Sequence, residues 1–479
     1  MDKLNEKYIK LKRILAALIF INAFFSLYVY YQSNKDSVSN LNKSIYKTYV
    51  ETEGGSGNYT VYSSNVFPTE GYTLNTTLST CTNGGSVSQG EDYSITYIGS
   101  PGSCTLYFDV DNSQAGVTGV ATILNLVGDA DDTSTAIIEG TELAYDGTTD
   151  KNLRYVGYDG TNNKPNNYID IGDTSSLWRI IGVFNNIDDG TGISETRLKI
   201  MRDKPISFEG TDNYEHGYSW DTSAYNINQG YGINQWGPSG SYEGADLMRE
   251  LNGDYLNTNL TANTSWYVSK GNNYNGGVFD ISNVLSATAQ ELIGEALWHT
   301  GAISPSKYAT SKISSYYQDE RGTVVASKNC NIASRCNDTV VRTTTWVGKI
   351  ALPYVSDYGF ATAGSNEISR EECLNSVLYD WCCDEDEDDV EFCGCIENTW
   401  INKNTLNNTN IPMMWTITPR SDTVDSVMNI SDDESGIGAA NACFGNDNHL
   451  IVPTVFLKSN VTITGGTGTK TNPYIAALP

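Results

Sequence analysis

The chain has 479 residues, with 57 acidic side chains against 30 basic ones and a formal net charge of −27. A surface this acidic repels phosphate groups, which argues against a nucleic-acid-binding protein. Hydrophobic residues make up 39% of the chain and aromatic residues 11%. This composition excludes an intrinsically disordered protein, and the length suggests two or three folded domains.

An apolar segment near the start of the chain, Ile14–Tyr31, predicts a transmembrane helix. Its length falls within the range of about 17–25 residues that crosses a bilayer. Basic residues outnumber acidic ones in residues 1–13, so we expect a cytoplasmic tail and an extracellular remainder. A cleaved signal peptide and a pilin-type leader are the alternatives. The segment has no small-residue cleavage site after it and no acid within it, which favours an uncleaved, single-pass anchor.

Two segments with different compositions follow the anchor. Residues 32–58 are rich in Ser, Asn, Lys and Gly, which is typical of a stalk. Residues 59–127 contain short β-type runs separated by Gly, Asn and Pro, which predicts a small antiparallel β domain. Cys81 and Cys104 are the only cysteines of this domain, and we expect them to form a disulfide bond.

A large domain over residues 152–479 is expected after an acidic linker, residues 128–151. Trp178–Phe184 is apolar almost throughout and predicts a buried strand. Arg197–Arg202 alternates between polar and apolar residues, which predicts a half-exposed strand. A turn-forming segment separates the two strands, so we expect them to form a hairpin.

Helices and further strands complete the large domain. Tyr242–Asn252, capped by Ser241, predicts one helix, and a capping box that begins at Thr288 predicts a second helix ending at Thr300. Additional strands are expected at residues 345–352, 414–418, 424–430 and 452–463. Helices among antiparallel strands argue for an α+β fold.

A series of short motifs in the large domain resembles, in order and spacing, a group of bacterial membrane-anchored surface proteins of unknown function. The motifs are Leu177–Val183, Ser219–Ser223, Ala245–Met248, Trp346–Ile350, Tyr358–Gly359, Trp415–Pro419 and Val452–Leu457. The resemblance covers roughly residues 145–475 and implies a C-type-lectin-like domain, in the variant of formylglycine-generating enzymes. Val452 is a departure, because Arg usually precedes this proline. The resemblance implies no activity, since a fold does not fix a function.

The ten cysteines are even in number and all follow the apolar segment, which predicts a disulfide framework in an oxidising compartment. They are Cys81, Cys104, Cys330, Cys336, Cys373, Cys382, Cys383, Cys393, Cys395 and Cys443. Cys330 and Cys336 are near enough in sequence for a local bond, and Cys443 needs a partner within 373–395. The spacing alone leaves the connectivity of the large domain open.

An acidic stretch interrupts the cysteine-rich segment, with six consecutive acids at residues 384–389. A solvated, disulfide-linked loop is the simplest interpretation. Closely spaced carboxylates also suit calcium, with Asp384, Asp386 and Asp388 as ligands, although the stretch does not match a calcium-loop pattern. A thiolate zinc site is the third alternative. No other cofactor is expected.

Candidate ligand-binding residues come from an aromatic-rich stretch of the large domain: Tyr214, His216, Trp220, Asp221 and Trp236. Aromatic rings beside polar side chains on glycine-rich loops can stack on sugars and hydrogen-bond to hydroxyl groups. The alternative is that the tryptophans anchor these loops on the core. The histidines are isolated in sequence, so no histidine metal centre is predicted.

Together these features predict a membrane-anchored, extracellular protein. Its expected function is non-catalytic binding or adhesion, with a glycan or a protein as the ligand. An exported carbohydrate-acting hydrolase is the alternative from another class, because the many acidic residues leave room for a catalytic pair. A structural, pilus-like subunit is the third.

Overall fold

A computed structural model of the chain describes most of the residues after position 44. These are residues 45–51, 59–62, 67–68, 72–90, 94–99, 102–110, 117–158, 164–209, 220–221, 234–240, 242–266, 277–304, 310–325, 342–365, 367–381, 393–401, 413–421, 426–431, 437–441 and 449–479. The chain divides into two units, Met1–Gly116 and Val117–Pro479. The predicted anchor, Ile14–Tyr31, lies outside the described residues, and none of the described helices is long and apolar enough to span a membrane.

The first unit is built from short strands. Those described are β1 (Ile45–Glu51), β2 (Tyr59–Val61), β3 (Tyr72–Leu74), β4 (Thr80–Cys81), β5 (Ser86–Gln89), β6 (Ile95–Ile98) and β7 (Ser103–Val110). Strand β7 is the centre of the main sheet, where it pairs with β1, β3 and β4. Its alternate residues Leu106 and Phe108 are fully buried and form a small core with Val50 and Leu74.

The sequence-based prediction for this unit needs two corrections. Strand β1 lies inside the predicted stalk, residues 32–58, and it pairs along its length with the central strand β7. The β1–β7 pairing is parallel, so the sheet is mixed rather than antiparallel. The buried side chain of Val50 explains why this segment belongs to the sheet, since it completes the apolar face below β7.

The predicted disulfide bond between Cys81 and Cys104 is confirmed. The two residues are direct partners in the β4–β7 pairing, and their sulfur atoms are 2.05 Å apart. Chain-entropy arguments assign such a cross-link about 3 kcal/mol of stabilisation. A unit with so small a core depends on contributions of this kind.

The second unit contains both strands and helices. Its described strands are β8 (Leu143–Tyr145), β9 (Leu153–Tyr155), β10 (Tyr168–Asp170), β11 (Trp178–Asp188), β12 (Ser194–Arg202), β13 (Phe208–Glu209), β14 (Thr264–Trp266), β15 (Gly277–Phe279), β16 (Ala296–His299), β17 (Thr345–Gly348), β18 (Met413–Pro419), β19 (Ser426–Ser431), β20 (Ile437–Asn441), β21 (His449–Leu450), β22 (Thr454–Phe456), β23 (Thr462–Gly465) and β24 (Tyr474–Ala477). Its described helices are α1 (Gly119–Asn125), α2 (Asp246–Asn252), α3 (Ala287–Leu292), α4 (Ile313–Glu320), α5 (Val355–Phe360), α6 (Arg370–Asn375) and α7 (Cys393–Glu397). The predicted α+β class is therefore confirmed.

The main sheet of this unit runs in the order β22-β12-β11-β10-β24-β23, and β8 and β9 extend it beside β11. Strands β11 and β12 form the predicted antiparallel hairpin. The prediction that Arg197–Arg202 is half exposed is wrong, because every residue from Arg197 to Arg202 is buried. Strand β12 lies between β11 and β22, and the buried ammonium group of Lys199 within it pairs with the carboxylate of Asp357.

The predicted linker, residues 128–151, is part of the second unit. Strand β8 lies within it and is completely buried, and it pairs with β9. Helix α1, inside the predicted small β domain, also packs on this unit, since the amide of Gly119 donates to the carbonyl of Val461. The acidic turn residues that suggested a linker are the exposed connection between α1 and β8.

The two predicted helices exist but have different boundaries. Helix α2 begins at Asp246 rather than Tyr242, because Tyr242 forms a β-bridge with Ser239. Helix α3 is capped by Ser286, whose hydroxyl accepts from the amide of Ala289, and not by Thr288. The predicted continuation of this helix through Leu297 is wrong. Residues 296–299 form β16, which pairs with β17, so tertiary pairing overrides the helical pattern.

Candidate functional site

The sequence-predicted binding residues that are described lie in the core. The indoles of Trp220 and Trp236 are fully buried, with ring centroids 5.3 Å apart. Trp220 donates its Nε1–H to the carbonyl of Thr416 at 3.2 Å. The carboxylate of Asp221 is also buried and accepts a hydrogen bond from the hydroxyl of Tyr242. This arrangement matches the alternative interpretation, in which the aromatic residues anchor the loop on the core.

The other predicted site residues lie outside the described part of the chain. They are Tyr214, His216, Asp384, Asp386, Asp388, Cys330, Cys336, Cys382, Cys383 and Cys443. Within the described ranges, no group of three or more His, Cys, Asp or Glu side chains is placed to hold a metal ion. A disulfide bond joins Cys373 to Cys395, which precede and follow the acidic stretch in the sequence. Its two cysteines are both completely buried.

A cleft of about 480 Å³ lies beside the main sheet of the second unit. Its walls come from the segment before β8, from the loop before β10 and from the loop between β23 and β24. Leu126 and Leu143 contribute apolar surface, while Thr141, Asn166 and Thr467 contribute polar groups. A volume of this size suits a small ligand such as one sugar ring or one amino-acid side chain.

One carboxylate, that of Glu142, organises the polar side of the cleft. Its Oε1 lies 2.9 Å from the Nζ of Lys164, and its Oε2 accepts from the amide of Asn166 at 2.5 Å. The backbone carbonyl of Glu142 accepts from the amide of Val156 at 3.0 Å, which holds the residue against the end of β9. The ammonium group of Lys164 stays accessible, since 54% of its side chain is exposed.

Two tyrosines line the buried end of the cleft. Tyr155 ends β9 and Tyr474 begins β24, and both side chains are almost completely buried. Burial raises the pKa of both phenols, and the neighbouring ring of Tyr474 adds to the increase at Tyr155. Both hydroxyls are therefore uncharged at physiological pH. The lining of the cleft thus combines two uncharged phenols with an ion pair.

The loop between β23 and β24 closes the cleft through a glycine. Gly468 has a φ of +76°, and its carbonyl accepts from the amide of Tyr168 at 2.8 Å. A Cβ atom at this position would lie 2.3 Å from the carbonyl oxygen of Asn166 and 2.5 Å from the ring of Tyr474. Only glycine therefore lets this loop approach the cleft so closely.

A second polar feature is a buried charge cluster centred on Asp357, the third residue of α5. Its Oδ1 accepts from Nη1 of Arg154 at 2.8 Å, and its Oδ2 accepts from Nζ of Lys199 at 2.5 Å and from the amide of Tyr354 at 3.0 Å. Arg154 also binds the carboxylate of Asp146 at 3.1 Å. None of these four charged side chains is more than 1% exposed.

Aromatic rings surround the two cations of this cluster. The Nζ of Lys199 lies 4.2 Å from the ring centroid of Tyr354 and 5.3 Å from those of Phe184 and Trp298. Burial lowers the pKa of Lys199 to about 8, although the Asp357 carboxylate opposes this shift. Burial alone would raise the pKa of Asp357, but Lys199 and Arg154 outweigh it and lower that pKa.

Glu320, at the end of α4, adds a further buried acid next to the cluster. Its carboxylate accepts from the hydroxyl and amide of Ser356 and from the hydroxyl of Thr418. Burial raises the pKa of Glu320 to about 7, and the nearby Arg321 partly offsets this increase. His299, in β16, has a pKa lowered to about 4 by burial and is neutral.

The cleft and the charge cluster both lie outside the sequence-predicted sites. Their residues come from distant parts of the chain, so sequence spacing gives no sign that Glu142 meets Lys164 or that Lys199 meets Asp357. One signal was available at Lys199, a cation that lies between the apolar residues Leu198 and Ile200 of the strand. Such a residue needs a partner when the strand is buried.

Comparison of the chain with protein-family models, with curated proteins and with solved structures gives no match. The function is therefore inferred from the geometry of the site. The cleft is lined by one ion pair, by threonine hydroxyls, by an asparagine amide and by two phenols, and polar groups of this kind hold a polar ligand in a fixed orientation.

Proposed function

We propose that this protein is a membrane-anchored, extracellular binding protein. Its second unit binds one end of a glycan in the cleft beside Glu142 and Lys164. The observation that carries the proposal is the cleft itself, which is lined by an ion pair of a carboxylate and an ammonium group and by two tyrosines. Sugar hydroxyls are well matched by such charged donors and acceptors.

Two further features support this proposal. The apolar segment Ile14–Tyr31, with its basic flank, favours a chain whose remainder is exported. The disulfide bonds Cys81–Cys104 and Cys373–Cys395 suit an oxidising, extracellular compartment. Binding is favoured over hydrolysis because the carboxylate of Glu142 is already engaged by a cation and an amide.

We also infer that the second unit has a C-type-lectin-like fold. Six of the seven motifs of that resemblance fall in order on β11, α2, β17, α5, β18 and β22, which all belong to the same unit. The order of these motifs within one unit supports the inference about the fold. It does not bear on which ligand the unit binds.

A glycan array with the full chain in detergent tests the proposed function. We expect binding to a limited set of glycans, and we expect Glu142→Gln, Lys164→Met and the cleft-filling variant Thr467→Trp each to reduce it at least about tenfold, since each removes or blocks a contact of roughly 1.4 kcal/mol. Asp132→Asn is the matched control, because Asp132 forms a similar pair with Lys151 on the exposed surface.

Two results would contradict the proposal. One is glycan binding that is equal in the wild type and in all three cleft variants, which would place the ligand elsewhere. The other is the release of shortened glycans during incubation, which would favour the hydrolase. Repeating the same array with a chelator tests whether glycan binding requires calcium.

A further inference from the structure

The contact between Lys199 and Asp357 has the geometry of two groups that can react with each other. Nζ lies 2.5 Å from Oδ2. Because a carbon–oxygen bond of this kind is about 1.2 Å long, Nζ is no more than about 3.7 Å from the carboxyl carbon. Reacting atoms in near-attack arrangements are about 3–3.5 Å apart. We propose that Lys199 and Asp357 form an intramolecular amide (isopeptide) bond that cross-links β12 to α5.

The environment favours the amine as a nucleophile. The side chain of Lys199 is fully buried and faces the rings of Phe184, Trp298 and Tyr354. Exclusion of water destabilises the ammonium form, and the lowered pKa of Lys199 reflects this. A desolvated lysine is the usual form of an activated amine nucleophile.

The two oxygens of Asp357 have different partners, which assigns them different roles. Oδ1 accepts from the guanidinium of Arg154 at 2.8 Å. This cation is placed to stabilise the negative charge that Oδ1 carries when the amine adds to the carbon. Oδ2 contacts Nζ of Lys199 directly, so it can take protons from the nitrogen.

The atoms and charges of the reaction balance without a cofactor or an oxidant. One proton passes from the ammonium of Lys199 to Oδ2 of Asp357, against the lowered pKa of this carboxyl, and leaves a short-lived pair of neutral amine and neutral acid. The nitrogen then bonds to the carboxyl carbon, a second proton passes from nitrogen to Oδ2, and this oxygen leaves as water. The third proton stays on the amide nitrogen.

The position of the bond gives it a structural role. It would join residue 199 in the main sheet to residue 357 in α5 and close a loop of 158 residues. A covalent link of this length restrains the unfolded chain in the same way as a disulfide bond. Unlike a disulfide bond, it resists reduction.

Peptide mass spectrometry of the full chain tests the proposal. After denaturation, reduction and alkylation, trypsin cleaves beside Arg197, Arg202, Lys349 and Arg370. We expect peptide 198–202 joined to peptide 350–370, with a mass one water below their sum and with the cleavage after Lys199 missing. Fragmentation should locate the link at Lys199 and Asp357.

Separate peptides, with cleavage after Lys199, would overturn the proposal, and so would a link to Glu367 instead of Asp357. This measurement uses the wild-type chain and does not depend on whether a variant folds. In Lys199→Met we expect complete loss of the joined peptide. The matched control Lys151→Met removes a lysine from an exposed ion pair with Asp132, and it should keep the joined peptide.

Discussion

Two lysine–carboxylate pairs of the second unit have similar chemistry and opposite surroundings. Lys164 and Glu142 are 2.9 Å apart, with side chains 54% and 23% exposed. Lys199 and Asp357 are 2.5 Å apart, and both are buried. An exposed pair contributes about 0–1 kcal/mol and remains free to exchange its partner for a ligand, whereas breaking a buried pair costs about 3–5 kcal/mol.

The comparison shows how burial divides the roles of the same residue types. Water around Lys164 screens its charge and keeps its hydrogen bonds exchangeable, which suits binding. Lys199 is completely buried, so Asp357 is its lasting partner, which suits a structural role. Each of the following predictions changes one side of this comparison.

The largest effect is expected for Asp357→Ala. This variant leaves Lys199 and Arg154 buried beside each other without their shared carboxylate. We expect a loss of at least roughly 3–5 kcal/mol in the free energy of unfolding, measured by urea denaturation. Loss of the proposed amide link between Lys199 and Asp357 adds to the cost of the broken pair. A loss below about 1 kcal/mol, typical of an exposed pair, would contradict the account.

The next effect concerns the pH dependence of stability through Glu320. The pKa of Glu320 is about 7 in the folded state, against an ordinary value of 4.5 for glutamate, so the folded state binds the proton more tightly. Protonated Glu320 therefore stabilises the folded state by up to about 3 kcal/mol. This stabilisation is fully present below about pH 4.5 and is lost as the pH rises through 7.

Urea denaturation between pH 4 and 8 checks this contribution. Glu320→Gln keeps the shape of the side chain but cannot ionise, so its stability should vary less over this range than that of the wild type. Identical pH profiles for the two proteins would show that Glu320 does not titrate as described.

A smaller loss of stability is expected for Gly468→Ala. The left-handed backbone at this residue and the close carbonyl of Asn166 leave no room for a Cβ atom. We expect a loss of about 1–3 kcal/mol and weaker glycan binding, because the loop must move away from the cleft. Gly128→Ala is a useful control, since Gly128 also has a positive φ but open space around it.

The smallest effect on stability is expected for Lys164→Met. The free energy of unfolding should change by less than about 1 kcal/mol, because the ion pair is exposed. Glycan binding should nevertheless fall. A variant that loses stability and binding together would show that Lys164 supports the fold rather than the ligand.

Sequence patterns predicted the parts of the fold that depend on neighbouring residues. The β11–β12 hairpin and the Cys81–Cys104 bond follow from apolar runs, turn residues and cysteine spacing. The parallel pairing of β1 with β7 joins segments more than 50 residues apart, and no local pattern specifies it. The strand β16 carries a helical pattern that its partner β17 overrides.

The candidate site was harder to predict because its residues meet only in the folded chain. Glu142 lies in a segment that resembled a linker, and Lys164 is 22 positions away. Trp220 and Trp236 were predicted to bind a ligand because they have large aromatic rings. The same rings are apolar, and for that reason they are buried in the core.

The comparison of the two pairs is tested most directly by the unfolding free energies of Lys199→Met and Lys164→Met in low and high salt. The account predicts a large loss for Lys199→Met that salt does not change, and a loss near zero for Lys164→Met that salt removes. Equal losses in the two variants, with the same dependence on salt, would contradict it.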